Sequence, residues 1–242
     1  MKTEHRHNDA NERRGSFFSR PMSARKKVAV ELALLALLTT LFIFLFPRRN
    51  PLVDLSLAAI ALVGLICSAR YTKKVIWAAS PPPAGKNRLQ RCLKFTALVT
   101  MPAVLVFVVI GVVLGYRHGG WQAVAERMFN WRMILVFAAY LLWAFMQQTL
   151  FQFYLLGRLL ALSPKGRPAL AVCVTGIAIS LVHWSDVWTM VATAFAGILW
   201  SYIYYRYRFL LPLAFSHAAL GCAFYTGIFG QNLAAEWKAL LP

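Results

Sequence analysis

Seven residues in the C-terminal half of this sequence carry side chains able to do chemistry within an otherwise apolar stretch: Gln147, Gln148, Gln152, Arg158, His183, Asp186 and His217. An amide inside hydrocarbon must find a hydrogen-bond partner or lose free energy, and ionisable groups at that depth mark working sites. Gln148 and Gln152 are four residues apart, so a helix stacks them on one face, with Gln147 about 100° round from Gln148. His183 closes the apolar run AISLVH, and His217 lies inside LPLAFSHAALG. Taken singly, each reads as an interhelical hydrogen-bonding residue contributing under about 1 kcal/mol. Two histidines from separate apolar runs beside a glutamine cluster read instead as a buried polar pocket. The chemistry within reach is proton transfer. An imidazole, with an ordinary pKa of about 6.5, exchanges its proton near neutrality, whereas a carboxamide has no useful basicity.

The elements that must hold these residues follow from composition. The chain has 242 residues, of which 60% are hydrophobic and 14% charged, and its mean hydropathy is +0.58. Soluble domains are roughly half apolar and about a quarter charged, so this is the composition of a polytopic membrane protein. A span needs about 20 mostly apolar residues. Such runs fall at 28–46, 52–69, 95–115, 133–157, 169–184, 188–205 and 209–229, which predicts an all-α bundle of about seven transmembrane helices. The fifth and sixth runs share the polar turn Trp184-Ser185-Asp186. Glu31 and Asp54, near the ends of the first two runs, read as interface-solvated or helix-paired carboxylates.

Three regions are expected: a disordered basic tail at 1–27, a transmembrane hairpin with a proline-rich linker (Ser80-Pro81-Pro82-Pro83-Ala84-Gly85) at 28–94, and a core at 95–242. The formal net charge is +18. With the N-terminus in the cytoplasm, 20 of the 26 Lys and Arg fall on cytoplasmic segments, the positive-inside pattern of a plasma-membrane protein. Anionic lipid at that face, rather than nucleic acid, is the partner this charge implies. The first apolar run is too long for a signal core, and Phe-Leu-Phe-Pro-Arg-Arg after it offers no cleavage pattern. Cys67, Cys92, Cys173 and Cys222 lack metal-ligand spacing and read as apolar thiols, so neither disulfide, metal nor other cofactor is expected.

The order and spacing of the polar residues resemble the CAAX protease and bacteriocin-processing (CPBP, or Abi) intramembrane endopeptidases. That family's first motif, EExxxR, commonly reads EELLFRGLLLGRL, and QQTLFQFYLLGRL at 147–159 aligns with it without a gap. SLVH at 180–183 matches the end of the second motif, and AGILWSYIYYRYRFLLPLAFSHA at 196–218 has the shape of the third. The separations are 36 residues from Gln147 to His183 and 34 from His183 to His217. The resemblance assigns catalytic positions to His183, His217, Gln147 and Gln148, and substrate contact or structural support to Gln152, Phe151, Arg158 and Gly221. It also carries departures. Gln147 and Gln148 stand for the paired glutamates, Gln152 for the arginine, Gly221 for an asparagine and Ile179 for an aromatic residue.

Replacing Glu, Glu and Arg together by Gln is coherent, because an arginine without its carboxylates would be an unpaired charge in the bilayer. Three functions are then open. The first is an endopeptidase acting on a membrane-proximal, prenyl-type or leader-type peptide with histidine as base. The second is a non-catalytic relative that binds a hydrophobic peptide or lipid, as an immunity or maturation partner. The third is a transporter-like bundle.

Overall fold

A computed structural model describes residues 24–45, 56, 59–60, 63, 87–128, 132–163, 168–184, 186–230. Most of the tail at 1–27 and of the run at 52–69, together with Asp54, Cys67 and the proline-rich linker, lie outside the described residues. Among those described, every element is helical: α1 (Ala24–Leu45), α2 (Arg88–Met128), α3 (Arg132–Gln148), α4 (Gly157–Leu162), α5 (Pro168–Leu181), α6 (Val187–Tyr207) and α7 (Leu211–Phe224). Three helical stretches, Arg88–Glu126, Val187–Tyr207 and Leu211–Phe229, are long and apolar enough to cross a membrane; Pro168–Leu181 is apolar but shorter. Their outward faces expose large apolar side chains such as Leu98, Met101, Phe195 and Leu211, as helices surrounded by lipid do.

α2 exceeds the run at 95–115 and bends at its far end. Gly119 (φ −170°, ψ 25°) and Gly120 (φ 66°, ψ −158°) leave the helical region there, the second with a positive φ that glycine adopts without strain. α3 does not stop at Gln148. It continues as a π-helix, Thr149–Leu156, and ends as α4. α7 likewise continues as the π-helix Tyr225–Phe229. Both π-helices have a threonine at or next to their first residue. Thr149 Oγ1 donates to Phe145 O (2.8 Å) and Thr226 Oγ1 to Cys222 O (2.6 Å). Each hydroxyl takes up a carbonyl one turn back, which offsets the loss of regular backbone pairing where the helix widens.

α5 and α6 are the most closely packed pair, and two glycines permit it. A Cβ on Gly176 would stand 2.4 Å from Ile198 Cγ1 and 2.6 Å from Ile198 N, and one on Gly197 would stand 3.0 Å from Gly176 O. Small residues at a helix crossing let backbones approach where lipid gives no hydrophobic drive. The connection between the two helices is tight. α5 ends at Leu181, three residues short of the expected 184, because Val182–Trp184 form a turn in which His183 N–H donates to Ser180 O (2.9 Å). Asp186 then caps α6, its carboxylate accepting from Trp188 N–H (3.2 Å) and Thr189 N–H (3.1 Å). Ser180 Oγ crosses the hairpin to Met190 O (2.7 Å). These bonds fix the turn that carries His183.

Candidate active site

α2, α3, α6 and α7 enclose a cavity of about 310 Å³ whose walls include Thr100, Tyr140, His183, Thr193, Trp200 and His217. His217 projects from α7 and is buried. Its ring stacks on Trp200 (centroids 4.5 Å, 27° between planes), and Tyr140 meets its edge at 6.1 Å. Trp200 is itself held, because its Nε1–H donates to Ser216 Oγ (3.0 Å), which also pairs with Thr100 Oγ1 (2.6 Å). Gln148, almost fully buried, places Nε2 3.3 Å from His217 Nδ1. In that arrangement the amide donates, Nδ1 accepts, and the imidazole proton resides on Nε2.

His183 is half-buried in the α5–α6 turn. Its Nδ1 lies 3.0 Å from Ile179 O. A carbonyl can only accept, so Nδ1 carries the proton and the basic lone pair is on Nε2. The two histidines on one cavity are therefore in opposite tautomers, one supplying a basic nitrogen and the other an N–H donor. A base and a donor beside one space are the minimum for hydrolysis of an acyl bond.

A family model described as Type II CAAX prenyl endopeptidase, Rce1-like, matches residues 129–223, the segment that holds both histidines, the three glutamines and Gly221. This segment belongs to the CAAX protease family. No curated protein and no solved structure matches the chain. With a membrane-protease domain and helices able to span a bilayer, the protein is a membrane protein.

Within the CAAX protease domain the motif residues take different places. Gln147, one position before Gln148, is half-buried and does not line the cavity. Phe151 is half-buried in the π-helix, also away from the cavity walls. Gln152 is fully buried one turn beyond Gln148. Arg158, also fully buried, leaves the site and reaches α1, where Nε and Nη2 both stand 3.1 Å from the Glu31 carboxylate. Tyr154 donates its hydroxyl to the same carboxylate, and its ring lies under the guanidinium at 5.1 Å. Glu31 is thus the helix-paired carboxylate, and Arg158 is a support that ties α4 to α1. Gly221 does line the cavity. A Cβ there would meet Tyr140 at 2.5 Å from Cε1 and 2.7 Å from the hydroxyl oxygen, so the tyrosine occupies the space of a side chain at 221.

Sequence reasoning missed Tyr140, Trp200, Ser216 and the threonines. Nothing local singled them out: Tyr140, eight residues before Gln148, is about 80° round an ideal helix from it, and only the packing of α3 against α7 brings its ring to His217. Asp186 sits at the mouth of the hairpin. The Thr189 hydroxyl that donates to it holds its carboxyl below the ordinary carboxylate range, with the two backbone N–H groups and nearby His183 adding to this. Among the described residues no group of three His, Cys, Asp or Glu stands together as a metal site.

Proposed function

We propose that this protein is an integral-membrane endopeptidase that cleaves a membrane-proximal peptide of prenyl or leader type, with His183 as general base and His217 as oxyanion donor. The observation that carries the reading is the pair of tautomers: the Nδ1–H of His183 is spent on Ile179 O, while Nδ1 of His217 faces the Gln148 amide. In the reaction, water attacks the scissile carbonyl carbon as His183 Nε2 takes one of its protons. His217 Nε2–H donates to the oxygen on which charge develops. The proton on His183 passes to the leaving amine as the C–N bond breaks. Neither step requires a carboxylate, which accounts for glutamine at 147 and 148. The chain would sit in the plasma membrane with its N-terminus in the cytoplasm, cross about seven times, and meet anionic lipid through its basic segments.

The test is cleavage of prenylated and leader peptides by the purified protein in liposomes. Loss of the base should cost about 10²–10⁴ in rate, so His183→Ala should abolish measurable turnover. Turnover retained in His183→Ala would refute the assignment. One observation favours a second reading. Both motif glutamates are neutral amides here, as in a relative that binds a hydrophobic peptide or lipid without cutting it. Binding without cleavage in the wild type, restored to cleavage by Gln147→Glu, would favour that second reading.

A further inference from the structure

The glutamines leave a set of buried polar atoms that the described residues do not satisfy. Gln152 is 0% exposed, and neither its Nε2 nor its Oε1 has a hydrogen-bond partner among the described residues. The same holds for Oε1 of Gln148, 1% exposed. These atoms are not scattered. Gln148 and Gln152 are one turn apart where α3 widens into the π-helix. Gln148 contacts His217, whose ring stacks on Trp200 of α6. Leu156 of the π-helix and Trp200 belong to one packed core. A buried amide or hydroxyl without a partner is costly, and such groups in folded proteins are matched by ordered water when the protein offers nothing else.

The chemistry of the orphan atoms selects the ligand. Two amide oxygens accept and one NH₂ group donates. No formal charge is among them, which disfavours an ion. A neutral molecule that both donates and accepts, and is small enough for a packed core, is water. We infer that Gln148 and Gln152 hold a small cluster of water beside His217, at residues that are not among the walls of the substrate cavity. A hydrolase surrounded by lipid must bring water to its scissile bond, and this cluster adjoins the histidine that faces that bond. Its role as the source of the attacking water rests on the peptidase reading; its occupancy does not.

Millisecond X-ray radiolysis with mass spectrometry tests it, since radiolysis turns bound water into hydroxyl radical that marks adjacent side chains. Leu156, 0% exposed and absent from the cavity walls, is the reporter; Trp184, 46% exposed in the α5–α6 turn, is the control. The expected result is labelling of Leu156 in the wild type that falls several-fold in Gln152→Leu while Trp184 is unchanged. Absence of label at Leu156 in the wild type, or equal label in both proteins, overturns the inference. If Gln152→Leu loses its size-exclusion profile, Gln152→Met makes the same comparison, and unchanged label there likewise overturns it. Wild type that labels Leu156 yet cleaves no peptide keeps the water site and removes the peptidase. Cleavage without label removes the water site alone.

Discussion

The amide nitrogen of Gln148 stands 3.3 Å from Nδ1 of His217, and that contact decides which nitrogen of the histidine faces the cavity with a proton. A glutamate at 148 can only accept, so Gln148→Glu should move the proton to Nδ1 or charge the ring. Nitrogen-15 spectra of histidine-labelled protein should show His217 protonated on Nε2 in the wild type and on Nδ1 in the variant. If Nε2 becomes an acceptor, the oxyanion donor is lost, and peptide cleavage should fall about 10²–10³-fold. A wild-type spectrum with Nδ1 protonated would contradict the division of roles between the two histidines.

Apolar runs showed where helices lie because lipid demands continuous hydrophobicity, and His183 and His217 stood out because little else in those runs is polar. What the sequence hid depends on partners. Glu31 and Arg158 are 127 residues apart, and nothing local announces that they meet. The π-helix at Thr149–Leu156 is equally silent, since TLFQFYLL carries no proline or glycine to mark a change of pitch. Adjacent Gln147 and Gln148 look equivalent in sequence. On a helix they point about 100° apart, and only Gln148 meets His217.

The Glu31–Arg158 pair fixes α1 to the protease domain. Removing one partner leaves a charge uncompensated in the interior, a loss of about 3–5 kcal/mol for buried pairs. Because the Glu31 side chain is 28% exposed, Glu31→Gln should fall at the lower end, about 3 kcal/mol. Thermal unfolding in detergent would show it as a lower Tm. The double change Glu31→Met with Arg158→Met should recover most of the loss, because no charge is then stranded. A double variant no better than Glu31→Gln would argue against the ion pair as the cause.

Asp186 caps α6, and its backbone N–H also donates to His183 O (3.1 Å), so the cap steadies the turn of the base. Its folded pKa is depressed below an unfolded value of about 3.9. The stabilisation is therefore present above about pH 4 and is lost as pH falls through the folded value. Asp186→Ala should cost about 1 kcal/mol at neutral pH and speed exchange of the Thr189 amide. Asp186→Asn should keep the cap and remove the acid sensitivity. A Thr189 amide that exchanges equally in Asp186→Ala and wild type would show that the cap contributes nothing.

Gly221 and Tyr140 make a size-matched pair, and the pair explains why a family asparagine is missing. A Cβ at 221 would sit 2.5 Å from the tyrosine ring and 2.7 Å from its hydroxyl oxygen, closer than real Cβ atoms approach anything. Gly221→Asn should therefore force Tyr140 off its rotamer, at an overpacking cost of about 1–3 kcal/mol, and disturb the ring beside His217. Gly221→Asn combined with Tyr140→Ala removes the clash and leaves room for the amide. That double variant should be more stable than Gly221→Asn alone, although Tyr140→Ala by itself opens a void and lowers stability. Such non-additivity is the signature of two residues sharing one space, and a double-mutant cycle on Tm and on peptide cleavage measures it. Additive losses would mean that Tyr140 does not occupy the volume beside Gly221 in the membrane-embedded protein.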